Sequence, residues 1–202
     1  VIVVTVVSAY FLDGRLFGSL AAGDGRWAAV FLANFHFASL AGSRLGTRPL
    51  SPLGNFWSLS VEAQFYLVFP TLFLAAWVRG ARGRPRTSLA FVLGLVAAGS
   101  FMLCVLQTHQ LAGTAYFSPF ARAWELSIGA LVALDTVHLE RLGPRVAAAM
   151  TWAGMAAIVA SALLFTAATV YPGAFAAIPV LGAALVIAGG CANPAAGCER
   201  VL

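Results

Sequence analysis

Runs of close to 20 apolar residues recur along this 202-residue chain, and a run of that length has one stable use. At a rise of 1.5 Å per residue it makes a helix about 30 Å long, the thickness of a bilayer's hydrocarbon core. A helix also satisfies its own backbone hydrogen bonds, which nothing in lipid would do for it. The chain is 61% hydrophobic and only 9% charged, where a soluble domain carries about 25% charged residues. The expected fold is therefore all-α, a polytopic transmembrane helical bundle of about six spans. These run from Val1 to Leu12 (incomplete), Trp57 to Val78, Leu89 to Leu106, Phe117 to Leu134, Val146 to Val170 and Ala174 to Cys191. A shorter apolar stretch from Trp27 to Ala41, holding Asn34 and His36, is expected to lie at the interface or re-enter.

Every basic residue is an arginine, 12 against seven acids. They are scattered through the loops and form no basic face, so they read as topology signals and not as a nucleic-acid surface. Arg79, Arg82, Arg84 and Arg86 fall within RGARGRPR, and Arg141 and Arg145 two spans later. Arginine-rich short loops face the cytoplasm, which places QTHQLAGTAYFSP and VYPG outside. Arg15, Arg26, Arg44 and Arg48 run against this pattern in the first third of the chain. Neither the cysteines (Cys104, Cys191, Cys198) nor the histidines (His36, His109, His138) have metal-ligand spacing. His36 suits an interfacial position and His138 a charged loop. The chain opens on VIVVTVVSAYFL without a signal-peptide pattern, and it is expected to be an internal piece of a longer protein, one partial transmembrane domain over residues 1–202.

Within the second span, Glu62 sits about five residues below Trp57, and Trp marks the headgroup boundary. A charge there costs about 2.5–3.5 kcal/mol to insert, so it points to a functional group facing protein or water. Ser58, Tyr66 and Glu62 share a helical face, while Ser60 and Gln64 form a second polar pair four residues apart. A purely structural use would have Ser58 or Ser60 cap the helix and Glu62 complement its dipole, which leaves Gln64 and Tyr66 unexplained. In SPFARAWELSIGALVAL, Arg122 and Glu125 are three residues apart and can neutralise each other. A structural ion pair and a substrate-binding role are both open for them. Gly129 and Ala133 on the same segment permit close helix packing. If the three charges meet in one polar cavity, a carboxylate there can orient or deprotonate a hydroxyl, and arginine can steady an oxyanion or an anionic donor.

FWSLSVEAQFYLVFP resembles the WSLSVEEQFY signature of the membrane acyltransferase 3 family. The blocks YFSPFARAWELSIGALVAL and YPGAFAAIPVLGAALVIAGG, with LANFHFA upstream, follow in that family's order. The resemblance implies an integral membrane O-acyltransferase that moves an acyl group, commonly acetyl, from acyl-CoA (acetyl-CoA) to a hydroxyl of a bacterial cell-surface carbohydrate. It implies a multi-pass protein of the inner or plasma membrane, with no bound cofactor and no metal. Glu62, Arg122 and Glu125 match the family's polar membrane residues and are the expected catalytic positions. Trp57, Ser58, Ser60, Gln64 and Tyr66 are the expected substrate-binding ones. The family's second acid is Ala63 here. The family's early helices, with an acid/base histidine and an arginine-rich turn, would precede Val1, so the chain is expected not to catalyse alone. The alternative is a polytopic transporter or exporter of a lipid-linked sugar, although no duplicated halves with interrupted helices are visible.

Overall fold

A computed structural model of the chain describes residues 1–42, 51–79, 85–166 and 169–192. Arg44, Arg48, Arg82, Arg84 and Cys198 lie outside the described residues. Within them the chain is helical: α1 (Ile2–Leu12), α2 (Gly14–Ala29), α3 (Ala33–Gly42), α4 (Phe56–Arg79), α5 (Pro85–Phe117), α6 (Pro119–Leu134), α7 (Thr136–Leu139) and α8 (Pro144–Leu164). A 3-10 turn, Ala174–Ala176, leads into α9 (Ala177–Ala192).

Among the described residues, four helical segments are long and apolar enough to cross a membrane: Phe56–Ala75, Arg86–Gln110, Pro144–Leu164 and Ala174–Ala192. The chain is thus an all-α polytopic membrane protein. Leu67, Leu74, Phe91 and Leu163 on these segments are each more than half exposed, apolar side chains that suit lipid contact. Of the other two expected spans, that from Val1 to Leu12 is expected to be incomplete, and α6 is shorter than the bilayer requires. α1 is an apolar helix of 11 residues. α6 has 16 residues and rises about 24 Å, because Ser118 caps it, accepting from the Ala121 amide, and Pro119 takes its first turn. The stretch from Trp27 to Ala41 is not one element. α2 ends at Ala29, the chain turns through Phe31 at φ 55°, and α3 begins at Ala33.

Helix α5 cannot be straight. A straight helix from Ser100 to Phe117 would span about 25 Å. Yet the Ser100 hydroxyl donates to the Phe120 carbonyl at 2.6 Å and accepts from the Trp124 amide at 2.9 Å. The end of α5 therefore folds back and delivers α6 alongside its own middle. At Thr108 the hydroxyl donates to the Cys104 carbonyl at 2.7 Å and accepts from the Gly173 amide at 3.0 Å, and a threonine bonded back in this way bends helices. The core here joins α5, α6 and the start of α9 through Ala97, Cys104, Ala121, Trp124 and Ala176, with Phe101 edge-on to Trp124 at 4.9 Å.

Close packing occurs between α8 and α9, not at Gly129, where an added Cβ would meet nothing within 4 Å. At Gly182 it would lie 2.9 Å from the Gly154 carbonyl, and at Gly189 2.7 Å from the Ala147 carbonyl. Gly189→Val is accordingly expected to destabilise the protein by about 1–3 kcal/mol, the usual cost of overpacking, seen as a lower melting temperature in detergent. Gly129→Ala, where the added methyl meets nothing within 4 Å, should not lower that temperature and should raise it slightly.

Candidate functional site

The first turns of α4 face the start of α6. Trp57, Ser58, Val61 and Glu62 from α4, with Arg122, Glu125 and Leu126 from α6, line one cavity of about 200 Å³. All three charges singled out in the sequence border this single space. Glu62 accepts a hydrogen bond from the Tyr66 hydroxyl at 2.6 Å, because a helical side chain leans toward the N-terminus and reaches the residue four before it. Tyr66 itself is largely exposed and is off the cavity wall.

Arg122 is buried, 7% exposed, and is held on several sides. Its Nη1 donates to Glu125 Oε1 at 2.7 Å and to the Tyr171 hydroxyl at 3.5 Å, and its Nε donates to the Tyr116 carbonyl at 3.4 Å. Nη2 has no hydrogen-bond partner among the described residues. The guanidinium carbon lies 5.4 Å from the Trp57 ring centre, 5.1 Å from Tyr116 and 5.4 Å from Tyr171, within the distance at which an aromatic quadrupole attracts a cation. Three rings from three parts of the chain thus enclose one cation whose countercharge is one helical turn away.

Tyr116 and Tyr171 were not singled out in the sequence, although each opens one of its family-like blocks. Their part in the site depends on the bend of α5 and on the turn before α9, which no local pattern announces.

Other expected site residues do different work. Ser58 is on the cavity wall and donates to the Asn55 carbonyl at 3.0 Å. Ser60 is buried and donates to the Phe56 carbonyl at 2.9 Å. Both hydroxyls thus donate to carbonyls of their own chain, where a helix cap would accept from an amide. Gln64 is turned toward α3: its Nε2 donates to the Phe31 carbonyl at 2.8 Å and to Asn34 Oδ1 at 3.0 Å, while Asn34 Nδ2 donates back to Gln64 Oε1 at 3.4 Å. This is a cross-link between helices. Asn34 is fully buried, so Gln64→Leu should cost about 1–3 kcal/mol by stranding it. The double change Asn34→Leu with Gln64→Leu should recover most of that loss in a thermal unfolding assay.

A second cavity of about 350 Å³ shares Trp57 and Tyr116 with this region and includes Asp24 in its wall. His36, expected at an interface, has its Nε2 2.9 Å from Oδ1 of the buried Asp24 and stacks on Trp27 at 5.4 Å. His138 pairs with Asp135 on the surface at 2.6 Å. Among the described residues no group of three or more His, Cys, Asp and Glu side chains is placed to hold a metal ion.

A polytopic helical membrane protein with a caged arginine and two carboxylates on one cavity is the class that fold and site define. Its curated relatives are bacterial. BcsY of Komagataeibacter xylinus, provisionally assigned as a membrane-bound transacylase, is 29% identical over 143 residues, covering 70% of this chain and 34% of that protein. The peptidoglycan O-acetyltransferase OatA of Listeria monocytogenes is 29% identical over 202 residues, covering 92% of this chain and 31% of OatA. YrhL of Bacillus subtilis, provisionally assigned as a peptidoglycan O-acetyltransferase, is 31% identical over 84 residues, 42% of this chain and 13% of YrhL. The chain is distantly homologous to these proteins and spans about a third of the length of the first two. No family model matches it, and neither does any solved structure.

Proposed function

We propose that the chain forms the acceptor-activating part of an integral membrane O-acyltransferase, which moves an acyl group from acyl-CoA to a hydroxyl of a cell-surface carbohydrate. The observation that carries this reading is the common cavity of Glu62, Arg122 and Glu125, and the distant homology to named acyltransferases supports it.

Glu62 takes the proton of the acceptor hydroxyl as that oxygen attacks the thioester carbonyl. Its Oε1 is occupied by Tyr66, which fixes the carboxylate and leaves Oε2 for the substrate. The electron pair of the carbonyl moves onto its oxygen, which accepts a hydrogen bond from the Arg122 guanidinium. Collapse of this tetrahedral intermediate breaks the carbon–sulfur bond, and the proton held by Glu62 passes to the departing CoA thiolate. The products are an O-acyl ester and CoA-SH. Glu125 and the rings of Trp57, Tyr116 and Tyr171 hold the guanidinium in place. Trp57 and Ser58 line the space the acceptor occupies, a wall of stacking surface and hydroxyl that suits a sugar.

The whole protein in liposomes, given isotopically labelled acetyl-CoA and a hydroxyl-bearing cell-wall oligosaccharide, tests this. The expected product gains the mass of one acyl group less a hydrogen at a hydroxyl, in a Glu62-dependent manner. A labelled donor recovered intact, with the oligosaccharide carried across the bilayer unmodified, would favour an exporter instead.

A further inference from the structure

The charged cavity has an apolar neighbour. A groove of about 370 Å³, open on the side where Phe35, Val68 and Phe120 are exposed, forms an open chamber between α3, α4 and α6. Its walls include Leu32 just before α3 and Phe35 on it, Phe65 and Val68 on α4, and Phe120 and Ala123 on α6. Val61 and Leu126 belong to both spaces and form the partition between them. The single polar side chain on the wall, Gln64, has its amide engaged by Asn34 and the Phe31 carbonyl. The chamber therefore presents hydrocarbon and no spare hydrogen-bonding group.

We infer that this chamber holds the hydrocarbon tail of the donor, so that the enzyme transfers acyl groups longer than acetyl. The inference rests on the acyltransferase reading above and names its donor class. An acyl thioester is polar at the carbonyl and apolar beyond it, and the two adjoining spaces divide in the same way. With the carbonyl beside Arg122, the chain passes the Val61 and Leu126 partition into the chamber. An acetyl methyl, about the size of a water at roughly 30 Å³, would leave nearly all of it unfilled. At that volume per carbon, the part of a straight chain of about four to eight carbons beyond its carbonyl takes up roughly a quarter to a half of the space. The bond changes are those of the proposed transfer: the acyl carbon exchanges the CoA sulfur for the acceptor oxygen, and the hydroxyl proton ends on the sulfur.

The test is a chain-length profile. The whole protein in liposomes is given a hydroxylated oligosaccharide and straight-chain acyl-CoA donors from about two to ten carbons, and kcat/KM is measured for each. Wild type should favour chains of about four to eight carbons over acetyl by tenfold or more. Ala123→Phe and Val68→Trp, which fill the chamber from opposite walls, should each shift that optimum toward acetyl, with the acetyl rate itself changed less than threefold. A wild-type preference for acetyl, or a profile that neither filled variant moves, overturns the inference and leaves the acyltransferase reading standing; the latter result assigns the chamber to a bilayer lipid tail. Absence of transfer from every donor overturns both.

Discussion

Replacing Glu62 by glutamine in the whole protein is expected to lower acyl transfer by about two to four orders of magnitude, the usual contribution of a positioned general base. Glutamine keeps the shape and can still accept the Tyr66 hydrogen bond, so the loss would be one of proton transfer and not of packing. Glu62→Asp shortens the reach by a methylene and should fall between the two. Tyr66→Phe removes the 2.6 Å bond that steadies Oε1 but not the base, and a drop of about tenfold or less is expected, mostly in kcat. If Glu62→Gln retained more than a tenth of wild-type kcat/KM, the carboxylate would not be the base.

Arg122 carries the second large effect. Arg122→Lys should reduce the rate by about 10²–10³, the cost of losing an oxyanion donor. Lysine keeps the charge but cannot offer the planar fork that bonds Glu125, Tyr116 and Tyr171 while lying against three rings. Arg122→Gln should lose activity similarly and also destabilise the protein, because it leaves Glu125, 24% exposed in its side chain, facing the aromatic cage without its partner. Adding Glu125→Gln should then restore thermal stability and leave activity low. Recovery of stability without recovery of rate is the result that separates a catalytic arginine from a structural ion pair.

Helix α4 was legible almost to the residue. Its apolar run begins beside an interfacial Trp57 and ends at Arg79, and the structure gives Phe56–Arg79 for the expected Trp57 to Val78. Hydropathy alone could not show that the stretch from Phe117 to Leu134 begins with a capped turn at Ser118 and is short of a full span. Nor could it show the bend in α5, since apolar residues continue on both sides and the bend depends on Ser100 and Thr108 bonding to segments remote in the chain. Charge in an apolar helix marked Glu62 and Arg122 because burial makes such residues costly whatever they face. The same logic marked Gln64, whose partner Asn34 lies on another helix, so polarity alone did not distinguish a cross-link from a ligand group. The cage around Arg122 is tertiary: Trp57, Tyr116 and Tyr171 come from α4, α5 and the turn before α9.

A double-mutant cycle on Glu62 and Arg122 is the most direct measurement of whether the two side chains serve one reaction in one cavity. Acyl-transfer rates of wild type, Glu62→Gln, Arg122→Gln and the double variant would be compared in the whole protein. Groups that act on the same transition state are strongly non-additive, so the double variant should be within about tenfold of the worse single one. Losses that simply multiply would show the two residues acting independently and would contradict a shared site.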